Sequence, residues 1–276
     1  MRYRVKGKNR KIFIALALVS VLLLCLYVLQ TDWAHRKERF MPTYPSMPLT
    51  AATDYETIFM QTGLGKSAVE TLIQDGNFDT VLDTQKRFFH NTEETCKSTL
   101  GWFTKSDRIK KTEAPAFVDL QPGDVILTLS THSCGWRHGH AGLIIDEKSV
   151  LECLVLGQDS CVSSIQHWNK YSQVAVLRLK GITEELQQEI VAYAKENLCG
   201  VPYCLWAGFW KNKAMDSTDS GFGLQCAYLV WYAYQHFGYD LDSDGGRLVT
   251  TQDLIDSKLL EVVQVYGMNP NNFPLQ

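Results

Sequence analysis

Apolar residues recur at Cys226, Leu229, Val230, Ala233 and Phe237, the i, i+3, i+4, i+7 spacing of one buried helical face, and Gly238 follows as a stop. Residues 216–223 (Asp-Ser-Thr-Asp-Ser-Gly-Phe-Gly) have loop composition, so Cys226 falls in the first turn of this helix. A second helical face runs through Leu186, Ile190, Val191, Ala194 and Leu198, with Thr183 as N-cap, Glu184 and Glu185 in the first turn and Gly200 past the end. Upstream, Ala68, Val69, Leu72 and Ile73 suit one helix; Phe78, Val81, Leu82, Gln85 and Phe88-Phe89 suit another. Strands are predicted over 123–128, after the turn Leu120-Gln121-Pro122-Gly123, over 141–145, over 150–154 and over 174–179. The charged turn Asp146-Glu147-Lys148 joins the second strand to the third.

The N-terminus has a different pattern. Arg2, Arg4, Lys6, Lys8, Arg10 and Lys11 precede an uncharged apolar run from Ile12 to Leu29, long enough at helical rise to cross most of a bilayer. The run exceeds the apolar region of a usual signal peptide, and no small-x-small cleavage site follows before Asp32-Trp33, which predicts an uncleaved signal anchor. Leu23-Leu24 ahead of Cys25 does not suit lipidation. Residues 1–11 are then a cytoplasmic basic tail, 12–30 a transmembrane helix, and the rest of the chain lies outside the cytoplasm of a cell membrane. A proline-containing linker and helical extension fill 31–115, and the remainder, 116–276, forms one catalytic domain.

A cysteine in the first turn of a helix meets unpaired backbone N–H groups and the positive end of the helix dipole, both of which favour thiolate. His140 opens one predicted strand and Glu152 lies on the next, so a short turn between them brings carboxylate beside imidazole on one face. Cys226, His140 and Glu152 would then form a nucleophile, base and orienting acid. Taken singly, Cys226 also fits a small apolar core residue, His140 a satisfied core histidine and Glu152 a solvent-facing strand residue.

Together these segments resemble the permuted papain-like amidases of the NlpC superfamily, the YaeF/YiiX or YebB-like group. The resemblance covers roughly residues 117–266. Its ordered blocks are Pro-Gly-Asp-Val-Ile at 122–126, Gly-His-Ala-Gly-Leu-Ile-Ile at 139–145, Val-Leu-Glu at 150–152, Gly-Val-Pro-Tyr at 200–203, the Cys226 helix, and Tyr-Asp-Leu-Asp-Ser-Asp-Gly-Gly at 239–246. Ordinary papain-like amidases place the Cys helix before the His strand; permuted members reverse that order, as here. The resemblance implies an α+β fold with an antiparallel sheet packed against helices, preceded here by the N-terminal transmembrane helix. It implies Cys226 as nucleophile, His140 as general base and Glu152 in the orienting position. Tyr203 matches a tyrosine beside the reacting carbonyl, and the Cys226 backbone N–H would be an oxyanion donor. The chain departs from the family at Gln225-Cys226-Ala227, where Cys-Ser after an aromatic or acidic residue is common; Gln225 bears on the polarity of the substrate pocket. The implied activity is a bacterial cysteine hydrolase, an amidase, peptidase or esterase acting through an acyl-enzyme on a peptide or lipid-like acyl substrate. The alternatives are an acyltransferase of the lecithin:retinol acyltransferase-like type, with the aromatics of 203–210 and 228–234 lining an acyl pocket, and an inactive binding module.

Other motifs are weaker. His132, Cys134, His138 and His140 lie close together, but their spacing matches no standard zinc pattern, and no metal or cofactor is expected. Gly63-Leu64-Gly65-Lys66-Ser67 ends like a phosphate-binding loop but has Met60 at the position of its first glycine, and reads instead as a loop and helix start. Asp240, Asp242 and Asp244 begin like a calcium loop without its closing glutamate. A net charge of -3 and no basic patch beyond residues 2–11 exclude nucleic acid as a partner. Apart from Cys25 and Cys226, six cysteines (96, 134, 153, 161, 199 and 204) are available for disulfides, and a bridge from Cys199 to Cys204 would hold Tyr203. The oligomeric state is not legible.

Overall fold

The computed structural model describes residues 6–34, 39–100, 104–133, 136–208, 213 and 222–273. The strands are β1 (Thr95–Leu100), β2 (Thr104–Arg108), β3 (Val125–Thr128), β4 (Thr131–Ser133), β5 (His140–Asp146), β6 (Ser149–Glu152), β7 (Cys161–Ser164), β8 (Val174–Leu179) and β9 (Leu260–Tyr266). The helices are α1 (Lys6–Ala34), α2 (Tyr55–Thr62), α3 (Lys66–Gln74), α4 (Phe78–Phe88), α5 (Glu184–Asn197), α6 (Cys226–Gln235) and α7 (Thr251–Asp256). One antiparallel sheet runs in the order β7-β6-β5-β3-β8-β9, and a smaller one in the order β1-β2-β4.

Because strand side chains alternate between faces, the large sheet feeds two cores. Val125, Leu127, Ala141, Leu143, Leu151 and Leu177 pack in one cluster with residues of α5 and α6. Ile126, Ile144, Val150, Val176 and Val263 pack in the other with Ile58, Ala68, Val69, Leu72 and Val81 of α2, α3 and α4. Burial on both faces is why β3 and β8 are nearly continuous apolar runs. The fold is α+β with antiparallel sheets, and the helical part of the 31–115 segment covers one face of the sheet.

The Gly63–Gly65 segment pairs with β9. Gly65 N donates to Val263 O at 2.8 Å, Val265 N donates to Gly63 O at 2.7 Å, and Leu64 bridges Gln264. Both glycines are needed for this approach, since a Cβ at either would overlap a β9 carbonyl, and Gly63 has φ 74°. Gly65 also caps α3. Gly65→Ala is therefore expected to destabilise the protein by several kcal/mol, as overpacking against rigid backbone does, in urea denaturation; a loss under about 1 kcal/mol would refute this pairing.

The structure corrects two expectations and adds one helix that was not expected. Among the described residues no helix is long and apolar enough to cross a membrane, which overturns the transmembrane helix expected over 12–30. The Cys199–Cys204 bridge is also absent, both residues being thiols. Backbone bonds hold this turn instead: Cys204 N donates to Leu224 O at 2.7 Å and Tyr203 N to Gln158 O at 3.2 Å. Cys134 lies outside the described residues. Finally, α2 carried no apolar period that marked it; Asp54 starts it by accepting a hydrogen bond from Thr57 N at 2.8 Å.

Candidate active site

Cys226 is the first residue of α6, and Gln225 before it is the N-cap. The Gln225 Oε1 accepts from Ala227 N at 2.9 Å and its Nε2 donates to Val249 O at 2.6 Å, so both ends of the amide are committed to backbone. Gln225 is buried and is not among the residues lining the cavity; it sets the start of α6 and does not face a substrate. The Cys226 Sγ lies 3.4 Å from the same Oε1.

Register brings acid to imidazole by a diagonal. Glu152 on β6 pairs with Gly142 on β5, two residues from His140; an irregularity between Ile144 and Asp146 moves this pairing by one residue, from Leu143 to Gly142, and so puts Glu152 on the face of His140. His140 shares Gly142's face of the strand, and its Nε2 donates to Glu152 Oε2 at 2.7 Å. Gly142 makes room for this lean, since a Cβ there would press on Val150 Cγ1. Trp168 stacks against the imidazole, with ring centroids 5.1 Å apart and planes at 13°. The second Glu152 oxygen accepts from the Ser163 hydroxyl and lies 3.4 Å from His167 Nε2, while His167 Nδ1 donates to Ser164 O at 2.8 Å. With Nε2 of His140 committed to Glu152, the imidazole's other nitrogen is left for its hydrogen bond with Cys226.

The electrostatics separate two buried cysteines. Burial opposes the Cys226 thiolate, but the His140 hydrogen bond and charge, with the Ala141 and Ala227 N–H groups, outweigh it and hold the thiol below its ordinary range. Cys153, buried without such a partner and with its Sγ on Leu224 O at 3.3 Å, is pushed up to about 12. Burial likewise opposes the His140 cation, yet Cys226 and Glu152 raise its pKa to about 10. Glu152, despite burial, is lowered to about 2 by His140 and His167.

These groups open onto a cavity of about 300 Å³ whose lining includes Cys226, His140, Glu152, Tyr203, His138 and Arg108. Tyr203 is placed by its bridge to Leu224, two residues ahead of Cys226. His138 Nδ1 donates to Gly139 O at 2.7 Å and its Nε2 contacts Ser133 Oγ at 3.0 Å; burial lowers its pKa. The histidines that are close in sequence part company here: His138 and His140 line the cavity, whereas His132 does not. Ser163, His167, Trp168 and Arg108 were not singled out from sequence. They lie on no periodic stripe with the motif residues: Arg108 on β2, Ser163 on β7 and His167 line the cavity, and Trp168 meets the His140 ring from a short 3-10 helix over Ile165–Lys170. The aromatics Tyr228, Trp231 and Tyr234, expected as an acyl pocket, are buried in the core.

No protein-family model matches this chain, and no curated protein does. Among solved structures it is similar to one described as the metalloprotein yiiX from Escherichia coli O157:H7, DUF1105. That likeness has 19% sequence identity and a TM-score of 0.37, over 52% of this chain and 96% of that one. Similarity of this size says nothing about the chemistry of the present site.

Proposed function

We propose that the chain is a cysteine hydrolase that cleaves an amide or ester through an acyl-enzyme, in the manner of the permuted papain-like amidases its sequence resembles. One observation carries the reading: of two buried cysteines, the one at a helix start, hydrogen-bonded to an imidazole held by a buried carboxylate, opens onto a cavity and is the one favoured as thiolate.

In this reading the Cys226 thiolate attacks the substrate carbonyl carbon, and the oxyanion forms near the first-turn N–H groups of α6. The C–N or C–O bond breaks as His140 gives its proton to the leaving group, leaving a thioester. Water, deprotonated by His140, then attacks the thioester, releasing the acid and returning the thiolate–imidazolium pair. Glu152 fixes the ring orientation and stabilises the imidazolium, and Trp168 holds its plane. The α6 aromatics expected to line an acyl pocket lie in the core, which favours hydrolysis over transfer of a long acyl chain.

Arg108 narrows the substrate. Its Nε donates to Ser106 Oγ at 2.7 Å, its guanidinium lies 5.2 Å from the Tyr171 ring centroid, and among the described residues no carboxylate pairs with it. A cation so held in the cavity wall suits a substrate anion. The test compares aryl succinate and aryl butyrate esters, which differ in a terminal carboxylate. The protein is expected to prefer the succinate, and Arg108→Gln to lose about tenfold or more of that preference, as a charge-assisted hydrogen bond implies. Hydrolysis of neither ester or of any amide analogue, with Cys226 inert to alkylation, would sink the hydrolase reading; equal preference in both proteins would sink only the anion subsite.

A further inference from the structure

The small sheet carries a second group of ligating side chains on its other face. Register sets Cys96 of β1 opposite Asp107 of β2, and Lys105 of β2 opposite His132 of β4. Residues two apart on a strand share a face, so Cys96, Asp107 and His132 project to one side. Their sequence neighbours Arg108 and Thr131 line the cavity on the other. The backbone pairing of three strands therefore produces the cluster, with no reliance on a loop.

The ligand atoms converge. Cys96 Sγ lies 3.8 Å from His132 Nε2, His132 Nε2 lies 3.6 Å from Asp107 Oδ1, and all three atoms are within 4.8 Å of one another. Sulfur and carboxylate address the same imidazole nitrogen. A proton relay of the Cys-His-acid kind uses the two ring nitrogens separately, as His140 does; a thiol, an imidazole nitrogen and a carboxylate oxygen facing one point are the donor set of a metal ion. Zinc bound at about 2.3 Å to sulfur and 2.0–2.1 Å to nitrogen needs an S···N separation of about 3.5 Å, a few tenths of an ångström inside that seen. Arg137 Nη2 donates to Asp107 Oδ2 at 2.7 Å, which turns Oδ1 toward His132, the orienting contact that metal-binding carboxylates commonly have. Asp107 and His132 are buried while Cys96 is exposed, so one side admits the ion.

We propose that Cys96, Asp107 and His132 bind one zinc ion, which ties β1, β2 and β4 into the wall of the cavity. The thiolate and imidazole select zinc over magnesium or calcium. β4 is three residues long and, among the described residues, pairs within its sheet with β2 alone, so the ion would add a second tie. The three ligands come from positions 96, 107 and 132, too widely spread for any short metal motif.

The test is the zinc content of the full chain, purified without chelator, loaded with zinc sulfate and freed of excess. Wild type is expected to hold about one equivalent, Cys96→Ser and His132→Gln less than a tenth of that, and Cys226→Ala the full amount. Cobalt loading adds a readout independent of folding losses: a thiolate-to-cobalt absorption band in wild type and Cys226→Ala, absent in Cys96→Ser. Wild type without stoichiometric zinc, or zinc that survives Cys96→Ser but is lost in Cys226→Ala, overturns the proposal. The latter result would place the ion at the cavity cysteine and leave the hydrolase reading to its own tests.

Discussion

At pH 7, iodoacetamide labels Cys226 and leaves Cys153 unreacted. Both are buried, but Cys226 is held below the usual thiol range by His140, and Cys153 is raised to about 12. At pH 7 an ordinary thiol is only a few per cent thiolate. Removing the imidazole in His140→Ala is therefore expected to slow Cys226 labelling roughly tenfold or more, with Cys153 unchanged. Mass spectrometry of labelled peptides against time and pH reads both sites in one sample. On a substrate that turns over, Cys226→Ala costs about 10⁴-fold or more in kcat, since the remaining groups cannot form the acyl-enzyme. The kcat/KM profile has an alkaline limb near pH 10, where His140 loses its proton and the pair becomes a thiolate beside a neutral ring. Labelling of Cys226 only above about pH 8.5, unaffected by His140→Ala, would remove the nucleophile from the mechanism.

Glu152→Ala has the largest expected effect on stability. The carboxylate is fully buried and faces His140, Ser163 and His167, and removing one member of such a set costs about 3–5 kcal/mol by leaving the others without their acceptor. The pH dependence follows from linkage. Glu152 has a folded pKa of about 2, below the unfolded value, so its contribution is present above about pH 4.5 and is lost as the pH falls toward 2. That contribution amounts to about 3 kcal/mol, at about 1.4 kcal/mol for each tenfold change in proton affinity. His140 acts with the opposite sign: raised to about 10, it contributes fully below about pH 6.5 and less as the pH rises through 10. Glu152→Gln, which keeps the shape and removes the charge, is expected to flatten the acid limb of a denaturation-midpoint profile and to lower kcat by about 10²–10⁴ through the lost ring orientation. If wild type and Glu152→Gln lose stability in parallel between pH 4.5 and 2, the buried pair is not the source of the acid limb.

Much of the scaffold was legible because its elements are periodic or capped locally. The Leu186-Ile190-Val191-Ala194 face with Thr183 as its cap gave α5, and the apolar run of 174–179 gave β8 at its observed bounds. The placement of Cys226 at a helix start was also local, set by a loop-like run followed by a helical period. The apolar run after residue 11 misled, since among the described residues no helix is both long and apolar enough to cross a membrane. Gln225 misled for a different reason: its position beside the cysteine suggested the pocket, but a glutamine at an N-cap is drawn to the unpaired N–H groups of the first turn.

Sequence by itself therefore determined four of the main-sheet strands (β3, β5, β6 and β8), α5 and α6, and which cysteine stands at a helix start, since each depends on residues within one turn or one strand; the α+β class followed from the ordered blocks of the family resemblance, and β7 and β9 carried no signal of their own. Tertiary structure decided the rest. The diagonal from Glu152 to His140 depends on a bulge, the stacking of Trp168 on where the short helix after β7 docks, the approach of Arg108 on the placement of the small sheet, and the face of Cys96, Asp107 and His132 on a three-strand register. Register is set by how whole faces bury their apolar side chains, and a shift of one residue turns every side chain over, so no local stretch of sequence contains it.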